Sequence, residues 1–345
     1  MKVWMWPKTS ELNPYNRLLT ESLCGAGLDV RDLKHGKLAL RVGRTKPGDV
    51  VHIHWMHHAY QNRNPLLFVA KSSVFVATLL YLKLRNVRIV WTIHNLYPHR
   101  MKFIGMERFM RKTICRLCDE LIVASESIKR KASAEFGVPA GKLTVVKHGH
   151  YAGAYAPRGR NVRRQYGIED DADVYLFLGA VQAYKGIDDL IEAFRAARTE
   201  RTYLILAGKA DKETEAYLRG AEDTENIVMD LRFIPNEEVA DLIGAADVMV
   251  LPYKEITTSG SAILGLSFRK RLVMPDNEFI DEYFKEGMVV RYEPAAAEGL
   301  ADAMRKAMEM SRDGVSSAYD EALKELEWNA IAKRTKDVYQ RRDSR

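Results

Sequence analysis

The sequence predicts an α/β protein that contains two Rossmann-like domains. Short apolar runs, many of them rich in β-branched residues, alternate with helical segments along the whole 345-residue chain, and this alternation is typical of parallel sheets covered by helices. A stretch rich in Gly, Pro and Arg at residues 152–164 divides the runs into two series and is the best candidate linker. A chain of this length, 47% hydrophobic, can bury two cores.

Eleven of the apolar runs are candidate strands. The first half contains residues 1–6, 49–54, 87–93, 120–124 and 143–146, and the second half contains residues 174–178, 202–207, 226–229, 248–251, 272–274 and 287–290. We therefore predict one domain over residues 1–155 and another over residues 165–325. Because ligands bind beyond the carboxyl ends of the strands in such sheets, functional residues should lie in the loops that follow these runs.

The loop that follows residues 248–251 is rich in hydroxyl groups and leads into a helix. Backbone N–H groups at a helix N-terminus lack intrahelical partners and have a partial positive charge. Thr258, Ser259, Gly260 and Ser261 could therefore bind a diphosphate, and Gly260 would allow its close approach. The alternative is an ordinary strand–loop–helix connection in which Thr and Ser only cap the helix.

A second segment indicates the same kind of ligand. Residues 175–194 predict a buried strand, a turn at Gly179 and an amphipathic helix, with Lys185 placed shortly before that helix. A lysine at this position can reach the phosphates that the hydroxyl-rich loop would bind. Two loops at the carboxyl ends of predicted strands thus combine a cation with helix N-terminal donors.

A series of short motifs runs along the chain. They are residues 91–98, 121–126 and 145–149, Gly179, Lys185, Gly186, Gly208, Pro252, Glu255, the Ser-Gly-Ser loop at 259–261, and residues 328–339. These motifs occur in the order found in GT-B glycosyltransferases and resemble family 4 most closely. The resemblance implies an α/β GT-B fold in which two Rossmann-like domains face each other across a cleft, with the donor on the second and the acceptor on the first. It also implies that residues 326–345 form a helix that crosses back to the first domain.

The resemblance implies roles for individual residues. Lys185 and the Ser-Gly-Ser loop would bind the nucleotide diphosphate, Glu255 would hold the donor sugar and nucleotide, and His94 would contact the transferred sugar. An imidazole can donate to a sugar hydroxyl or accept a proton from the acceptor. A core histidine at position 94 and a solvated charge at position 255 are the alternatives. An inverting reaction would need a base, for which further candidates are His57, His58, Glu11 and Asp49.

The chain departs from the family pattern in three places. Ile263 stands where a second glutamate commonly holds the ribose, residues 269–271 (Arg-Lys-Arg) replace the usual Gly-x-Pro, and Ala180 or Val181 replaces an arginine often paired with the phosphate lysine. The chain is therefore identified as a divergent member. Its Ser-Gly-Ser loop resembles bacterial polysaccharide-assembly transferases, some of them inverting, so the resemblance leaves the stereochemistry open.

No metal or cofactor is expected apart from the nucleotide-sugar co-substrate. GT-B enzymes typically need no bound divalent ion, and no Asp-x-Asp motif accompanies the donor loops. His52, His54, His57 and His58 form a run without a neighbouring carboxylate or cysteine, which favours the lining of an active-site cleft over a metal site. The three cysteines are too few for a disulfide framework and should be reduced structural residues: Cys24, Cys115 and Cys118.

Charge is distributed unevenly. Residues 1–165 contain 29 Lys and Arg against 10 Asp and Glu, whereas residues 166–345 contain 24 against 36. A basic half favours an anionic partner, and since no nucleic-acid-binding motif is recognised we expect anionic lipid rather than nucleic acid. No segment resembles a signal peptide, so the protein is expected in the cytoplasm, peripheral on the inner face of the cell membrane.

Two segments make the membrane expectation specific. Residues 65–84 are very apolar but are interrupted by Lys71 and two serines, so they predict a core helix with one face at lipid rather than a spanning helix. Residues 100–118 mix apolar and basic side chains and resemble an interfacial helix. A solvated basic helix packed on the sheet is the alternative for this second segment.

These observations favour a metal-independent glycosyltransferase that moves a hexosyl unit from a GDP- or UDP-linked sugar to a glycan acceptor, lipid-linked, in bacterial polysaccharide or glycolipid assembly. A nucleotide-sugar epimerase of the same fold would turn over the donor without an acceptor. A non-catalytic membrane-peripheral partner protein is the other alternative, because the altered motifs could mean that donor binding has been lost. Nucleotide binding separates these classes.

Overall fold

In a computed structural model the protein is described over residues 1–10, 13–33, 41–98, 102–253, 258–296, 298–310 and 315–341. The chain forms two compact units, one made of residues 1–149 with 326–345 and the other of residues 150–325. Each unit is built on a six-stranded sheet in which all neighbouring strands are parallel. Cys24, Cys115 and Cys118 are all free.

The first unit has strand order β2-β1-β3-β4-β5-β6. The chain order therefore reverses between β1 and β3, which is a topological switch point. The strands are β1 Lys2–Trp6, β2 Asp29–Asp32, β3 Val50–Ile53, β4 Arg88–Ile93, β5 Glu120–Val123 and β6 Leu143–Val145. The helices before the second unit are α1 Tyr15–Gly25, α2 His57–Tyr60, α3 Pro65–Leu84, α4 Ile104–Leu117 and α5 Glu126–Phe136.

The second unit has strand order β12-β11-β10-β7-β8-β9, with its switch point between β7 and β10. Its strands are β7 Asp173–Leu178, β8 Thr202–Ala207, β9 Ile227–Asp230, β10 Val248–Val250, β11 Arg271–Pro275 and β12 Val289–Tyr292. Its helices are α6 Val162–Tyr166, α7 Ile187–Ala197, α8 Lys212–Arg219, α9 Asn236–Ala245, α10 Gly260–Ser267, α11 Glu278–Tyr283, α12 Gly299–Glu309 and α13 Ser316–Glu325.

The chain then returns to the first unit as α14, Trp328–Gln340. The alternation of side chains along β4 shows why both faces of that sheet need cover: Ile89 and Trp91 join the cluster beneath α3, α4 and α5, whereas Val90 joins the cluster with α1 and α14. Gly149 permits the close approach of α14, since a Cβ atom there would collide with the Trp328 indole. The C-terminal helix is therefore part of the core of the first unit.

All eleven predicted strands are present, with ends displaced by one or two residues, and the α/β fold prediction is confirmed. The strand that the sequence analysis missed is β2, a four-residue edge strand whose sequence is Asp-Val-Arg-Asp. Only Val30 is buried in it, so it shows no apolar run. Residues 158–160, within the predicted linker, donate backbone N–H groups to the Asp241 carboxylate of the second unit.

Candidate active site

Three side chains of the second unit converge on Gly179 at its switch point, beyond the ends of β7 and β10. Gly179 directly follows β7, and the Cβ atom that it lacks would lie 3.4 Å from Lys185 Nζ, 3.5 Å from Ser261 Oγ and 3.9 Å from Tyr253 Oη. Ser261 Oγ also donates to the carbonyl oxygen of Leu178, the last residue of β7. A cation and two hydroxyl groups therefore surround a position where only glycine leaves space.

The turn that places Lys185 depends on Gly186. This glycine has φ +73°, and a Cβ atom there would collide with the Pro252 carbonyl oxygen, so both its conformation and its surroundings exclude larger residues. Residues 183–185 form a single 3-10 turn, and α7 begins directly after Gly186. The Lys185-Gly186 pair thus packs the start of α7 against the end of β10.

Lys185 is a half-buried cation beside an aromatic ring. Its Nζ lies 5.2 Å from the centroid of the Tyr253 ring, a cation–π distance. Within the part of the chain that the structure describes, no carboxylate lies at ion-pair distance from it. Burial lowers the pKa of Lys185 to about 8, so the ammonium form predominates at neutral pH and would gain from an anionic ligand.

The N-terminus of α10 adds backbone donors beside this lysine. Ser259 is the N-cap residue, whose Oγ accepts from the Ala262 N–H at 3.1 Å and whose carbonyl accepts from Ile263. The N–H groups of Gly260 and Ser261 have no acceptor among the described residues, nor has the buried Thr258 hydroxyl. The capping alternative thus holds for Ser259, while Gly260 and Ser261 retain donors suited to a phosphate.

Tyr253 was not identified from the sequence. It follows Pro252 at the end of β10 and is 9% exposed. Its hydroxyl lies with Ser261 Oγ beside Gly179, and its ring contacts Lys185. Burial raises the pKa of its phenol to about 12, so it stays protonated and can donate. Its position beyond a central strand was the available signal, although an aromatic residue there is equally typical of a core.

His52, His54 and His94 lie at the carboxyl ends of β3 and β4. His52 is fully buried, and its two ring nitrogens lie 2.7 Å from the Tyr339 hydroxyl and 2.7 Å from the Thr92 hydroxyl. This pairing makes His52 a structural residue that joins β3, β4 and α14. Burial holds the pKa values of His52, His54, His94 and His148 below the ordinary value, so all four imidazoles are neutral at pH 7.

His94 lies just after β4, half-buried, with its Nε2 3.1 Å from Nδ1 of His54. Its ring stacks on Trp55 at 4.7 Å between centroids and meets the edge of Tyr15 at 5.2 Å. Buried Arg111 fixes the loop that follows β4, because it donates to the Asn95 carbonyl oxygen and pairs with buried Glu107 at 2.9 Å. The imidazole is therefore held rigidly while part of it faces solvent.

The contact between His54 and His94 indicates which tautomer each adopts. His54 is 2% exposed, and its Nε2 has no partner among the described atoms. A buried N–H without an acceptor is rarer than an unused acceptor, so the proton of neutral His54 belongs on Nδ1, from which it donates to His94 Nε2. His94 then holds its own proton on Nδ1 and is a hydrogen-bond donor there rather than a base.

The other catalytic candidates predicted from the sequence lie outside the described residues, at the amino end of β3 or at the start of α2. Glu255 and Glu11 lie outside the described residues. Asp49 accepts from the Lys2 and Lys46 N–H groups and from the Trp4 indole, at the amino end of β3, the end of the strand opposite His54. His57 and His58 begin α2, shortly after β3.

The altered family positions have structural roles. Ile263 is completely buried in α10. Arg269 adopts a left-handed φ of +53°, a conformation that favours glycine, and Lys270 donates to the Ala246 carbonyl oxygen. Buried Arg271 donates to the carbonyl oxygens of Ala307 and Met310 at the end of α12. None of these side chains is among those that surround Gly179.

The histidine cluster consists of imidazoles without a neighbouring set of metal ligands among the described residues. Across the described ranges, no group of three or more His, Cys, Asp or Glu side chains is arranged to hold a metal ion. The chemistry available here is therefore that of neutral imidazoles, aromatic rings and hydroxyl groups. Such surfaces suit sugars, because aromatic faces contact their apolar sides and donors meet their hydroxyls.

Two parallel sheets of Rossmann type, one with a lysine and a helix N-terminus converging at its switch point, define the GT-B class of nucleotide-sugar enzymes. The family described as "Glycosyl transferases group 1" matches residues 160–325, and "Glycosyltransferase Family 4" matches residues 65–150. Together these matches cover most of the chain. The protein is therefore a glycosyltransferase of the GT-B class, and a divergent one.

Individual relatives agree with this assignment. The chain is 26% identical over 271 residues to a GDP-mannose:glycolipid 4-beta-D-mannosyltransferase of Xanthomonas campestris pv. campestris, covering 75% of this chain and 72% of the relative. Among solved structures, it resembles a sucrose-phosphate synthase from Thermosynechococcus elongatus (TM-score 0.74, 17% identity, 99% and 98% of the two chains). It also resembles Anabaena Alr3699/HepE in complex with UDP (TM-score 0.68, 15% identity, 98% and 99%).

Proposed function

We propose that this glycosyltransferase moves a hexosyl unit from a nucleotide-diphosphate sugar to a lipid-linked glycan acceptor, without a metal ion. The observation that supports the donor most directly is the convergence of Lys185 Nζ and Ser261 Oγ on Gly179, beside the N–H groups that begin α10 and have no acceptor among the described residues. The acceptor class is supported by the relative named as a glycolipid mannosyltransferase. GDP-mannose is therefore the first donor to test, with UDP-sugars as the comparison.

The donor site would act mainly through electrostatics. When the bond between the sugar and the diphosphate breaks, negative charge grows on the leaving phosphate oxygen. Lys185 and the N–H groups of Gly260 and Ser261 are fixed in place before the reaction, so they would stabilise this charge without reorganising. A cation supplied by the protein takes the part that a divalent ion plays in metal-dependent transferases.

His94 would bind a sugar hydroxyl as a donor. With its proton on Nδ1 and its Nε2 occupied by His54, the imidazole can position a hydroxyl oxygen but cannot accept a proton at Nδ1. Trp55 and Tyr15 extend this surface with aromatic rings. Glu255 stays a prediction for the sugar contact from the second unit.

Calorimetric titration with GDP, UDP, GDP-mannose and UDP-glucose tests the donor site, first with EDTA and then with magnesium. We expect saturable binding of one nucleotide in EDTA, weakened at least about tenfold in Lys185→Met, because a charge-assisted contact to phosphate is lost. Lys306→Met is the matched control, since Lys306 is exposed on α12 of the same unit. Equal affinity in the two variants would contradict the phosphate assignment.

Transfer itself is measured with radiolabelled donor and a bacterial lipid extract as acceptor. We expect the label to enter the organic phase only when both are present, and to do so in EDTA. Conversion of the donor to another nucleotide sugar without any acceptor would favour an epimerase. Tight nucleotide binding with no turnover on any extract would favour a non-catalytic protein.

A further inference from the structure

The outer face of α3 is apolar along its whole length. Exposed positions recur every three or four residues, as expected for one side of a helix. Leu66 is 78% exposed and Leu84 is 87% exposed, so the stripe extends from the first turn to the last. Two exposed lysines, Lys71 and Lys83, lie among them, and the exposed uncharged residues between and beside them are Leu67, Val69, Ala70, Ser73, Val74, Ala77, Leu80 and Tyr81.

The inner face of the same helix belongs to the core. Phe68, Phe75, Leu79 and Leu82 pack in the cluster that includes Trp91 of β4. Within the described residues, α3 is the single helix long and apolar enough to cross a membrane, yet only 33% of its most apolar window is buried. A helix held by one face against a sheet cannot span a bilayer, so its other face is an exposed apolar surface.

The N-terminus of α4 extends this surface. Phe103 and Phe68 form an edge-on ring contact at 6.1 Å, and Lys102 Nζ donates to the Arg63 carbonyl oxygen, so the starts of the two helices lie side by side. Ile104 is 64% exposed and Phe109 is 69% exposed. We name the exposed apolar residues of α3 together with Ile104 and Phe109 the α3 face.

Basic residues predominate on α3 and at the start of α4, although Lys83 at the end of α3 pairs with Asp119. No Asp or Glu occurs between Asp49 and Glu107, and Glu107 is buried against Arg111. The basic residues of α4 are partly committed elsewhere, since Arg111 is buried and Arg108 pairs with Glu135. Four other cations are exposed, and none of them has a carboxylate of the described residues at ion-pair distance: Arg63, Lys71, Lys102 and Arg116.

We propose that the α3 face is a docking surface for an anionic lipid bilayer, with α3 lying in the plane of the interface. The leucines would enter the boundary between headgroups and acyl chains to a depth of about 5–10 Å, while Lys71 and Lys102 extend to lipid phosphates. A second copy of the chain is a poorer occupant, because it would bring Lys71 and Lys102 of one copy against the same cations of the other. This inference concerns an interaction surface and does not depend on the transfer reaction.

Vesicle co-sedimentation of the full chain tests the proposal without donor or acceptor. We expect binding to phosphatidylcholine vesicles that contain about 30% phosphatidylglycerol, and much weaker binding to vesicles of phosphatidylcholine alone. Leu66→Gln combined with Leu84→Gln should reduce the partition coefficient at least about tenfold, since two leucines no longer leave water. Glutamine is nearly as good a helix former as leucine, so the helix should be preserved.

Matched control variants show whether a loss of vesicle binding is specific to the α3 face or follows from removing any exposed apolar or basic side chains. Tyr217→Gln with Phe233→Gln removes two exposed aromatic residues of the second unit and should leave binding unchanged. Lys71→Gln with Lys102→Gln should weaken binding to anionic vesicles about tenfold at low salt. Arg17→Gln with Arg31→Gln removes the same charge from exposed ion pairs and should have little effect.

Three results would overturn the proposal. The first is wild-type protein that stays in the supernatant with anionic vesicles at low salt, and the second is an equal loss of binding in control and surface variants. The third is a wild-type dimer in solution that Leu66→Gln with Leu84→Gln converts to monomer, which would assign the face to self-association. A circular dichroism spectrum and melting temperature like those of the wild type show that each variant is folded.

Discussion

Lys185 has an electrostatic property that gives the donor site a pH dependence. Burial lowers its pKa to about 8, and its described neighbours are an aromatic ring and hydroxyl groups rather than a carboxylate. The protonated form predominates below this pKa and is lost as the pH rises through it. The diphosphate of a nucleotide sugar has no proton that titrates in that range, so the change in its affinity belongs to the lysine.

We therefore expect nucleotide affinity to fall between pH 7 and pH 9, by about tenfold at pH 9. Binding near pH 8 should also take up a proton, because the bound anion raises the pKa of Lys185. Calorimetry in buffers of different ionisation enthalpy measures both effects. Lys185→Arg should bind with no such fall, since guanidinium stays charged, and a fall that persists in Lys185→Met would assign the titration to another group.

His94 should be the Nδ1–H tautomer in the wild-type protein. Long-range ¹H–¹⁵N NMR spectra distinguish the two neutral tautomers of an imidazole, and burial keeps this one neutral at pH 7. His54→Asn should preserve the tautomer, because the amide places a donor close to the position of His54 Nδ1. His54→Leu removes that donor and should increase the Nε2–H form.

Transfer kinetics provide the second measure of this pair. We expect His54→Leu to raise the KM of the sugar substrate that His94 contacts, and His54→Asn to restore it, with similar melting temperatures for both variants. A dominant Nε2–H tautomer at His94 in the wild type would show that His54 accepts rather than donates. In that case His94 would be free to act as a base at Nδ1.

At the scale of elements, α14 is attached to the sheet by a buried hydrogen bond. The Tyr339 hydroxyl lies 2.7 Å from His52 Nδ1, and both residues are almost wholly buried. Tyr339→Phe should lower the free energy of unfolding of the first unit by about 1–3 kcal/mol, because a buried ring nitrogen loses its partner. All five tryptophans, at positions 4, 6, 55, 91 and 328, belong to this unit, so their fluorescence in urea reports its transition alone.

Tyr81→Phe is the matched control for that measurement. Tyr81 is exposed on α3, and its hydroxyl accepts from Arg85 at the surface. We expect a change within about 0.5 kcal/mol, as for most surface substitutions. Equal effects of the two substitutions would mean that the bond between Tyr339 and His52 adds nothing beyond the loss of a hydroxyl.

The elements differ in how far sequence predicts them. Strands such as β4 and β8 are continuous apolar runs, because both faces of a parallel sheet are covered, and they were predicted almost to the residue. The edge strand β2 is mostly polar and was missed. For α3, hydrophobicity predicted a helix with one face at lipid, but which residues face outward depends on where the sheet lies.

The candidate site shows the same limit. Gly179, Lys185 and the loop at 259–261 could be predicted because helix N-termini and glycine turns have local sequence signals. Tyr253 and His54 could not be assigned, since their importance arises from contacts between segments far apart in the chain. The capping role of Ser259 and the structural bonds of Asp49 likewise depend on three-dimensional neighbours.

At the scale of the whole molecule, the second unit is continuous in sequence whereas the first is not. Residues 150–325 contain Gly179, Lys185, Tyr253 and the start of α10. We expect this fragment to fold alone and to bind the same nucleotide as the full chain, with affinity within about tenfold, because its core and donor site need no residue from elsewhere. Circular dichroism and calorimetry would check both properties.

A second fragment, residues 1–325, tests how far the first unit depends on α14. It lacks α14 and with it the buried residues Trp328, Ile331, Val338 and Tyr339. We expect its second unit to bind nucleotide normally while its first unit unfolds at much lower urea concentration, or is unfolded in water, since several large side chains of one core are removed. A first unit as stable as in the full chain would contradict the structural assignment of α14.

The packing of the C-terminal helix α14 on the first unit has a consequence for folding during translation. A ribosome completes β1 to β6 early, yet the sheet face that α14 covers stays open until residues 328–340 emerge. At ordinary rates of translation the intervening residues take roughly 10–35 seconds, ample time for the second unit to fold. The second unit then completes its folding before the first, although it is synthesised later. During that interval the exposed apolar face of the first sheet is a natural substrate for chaperones.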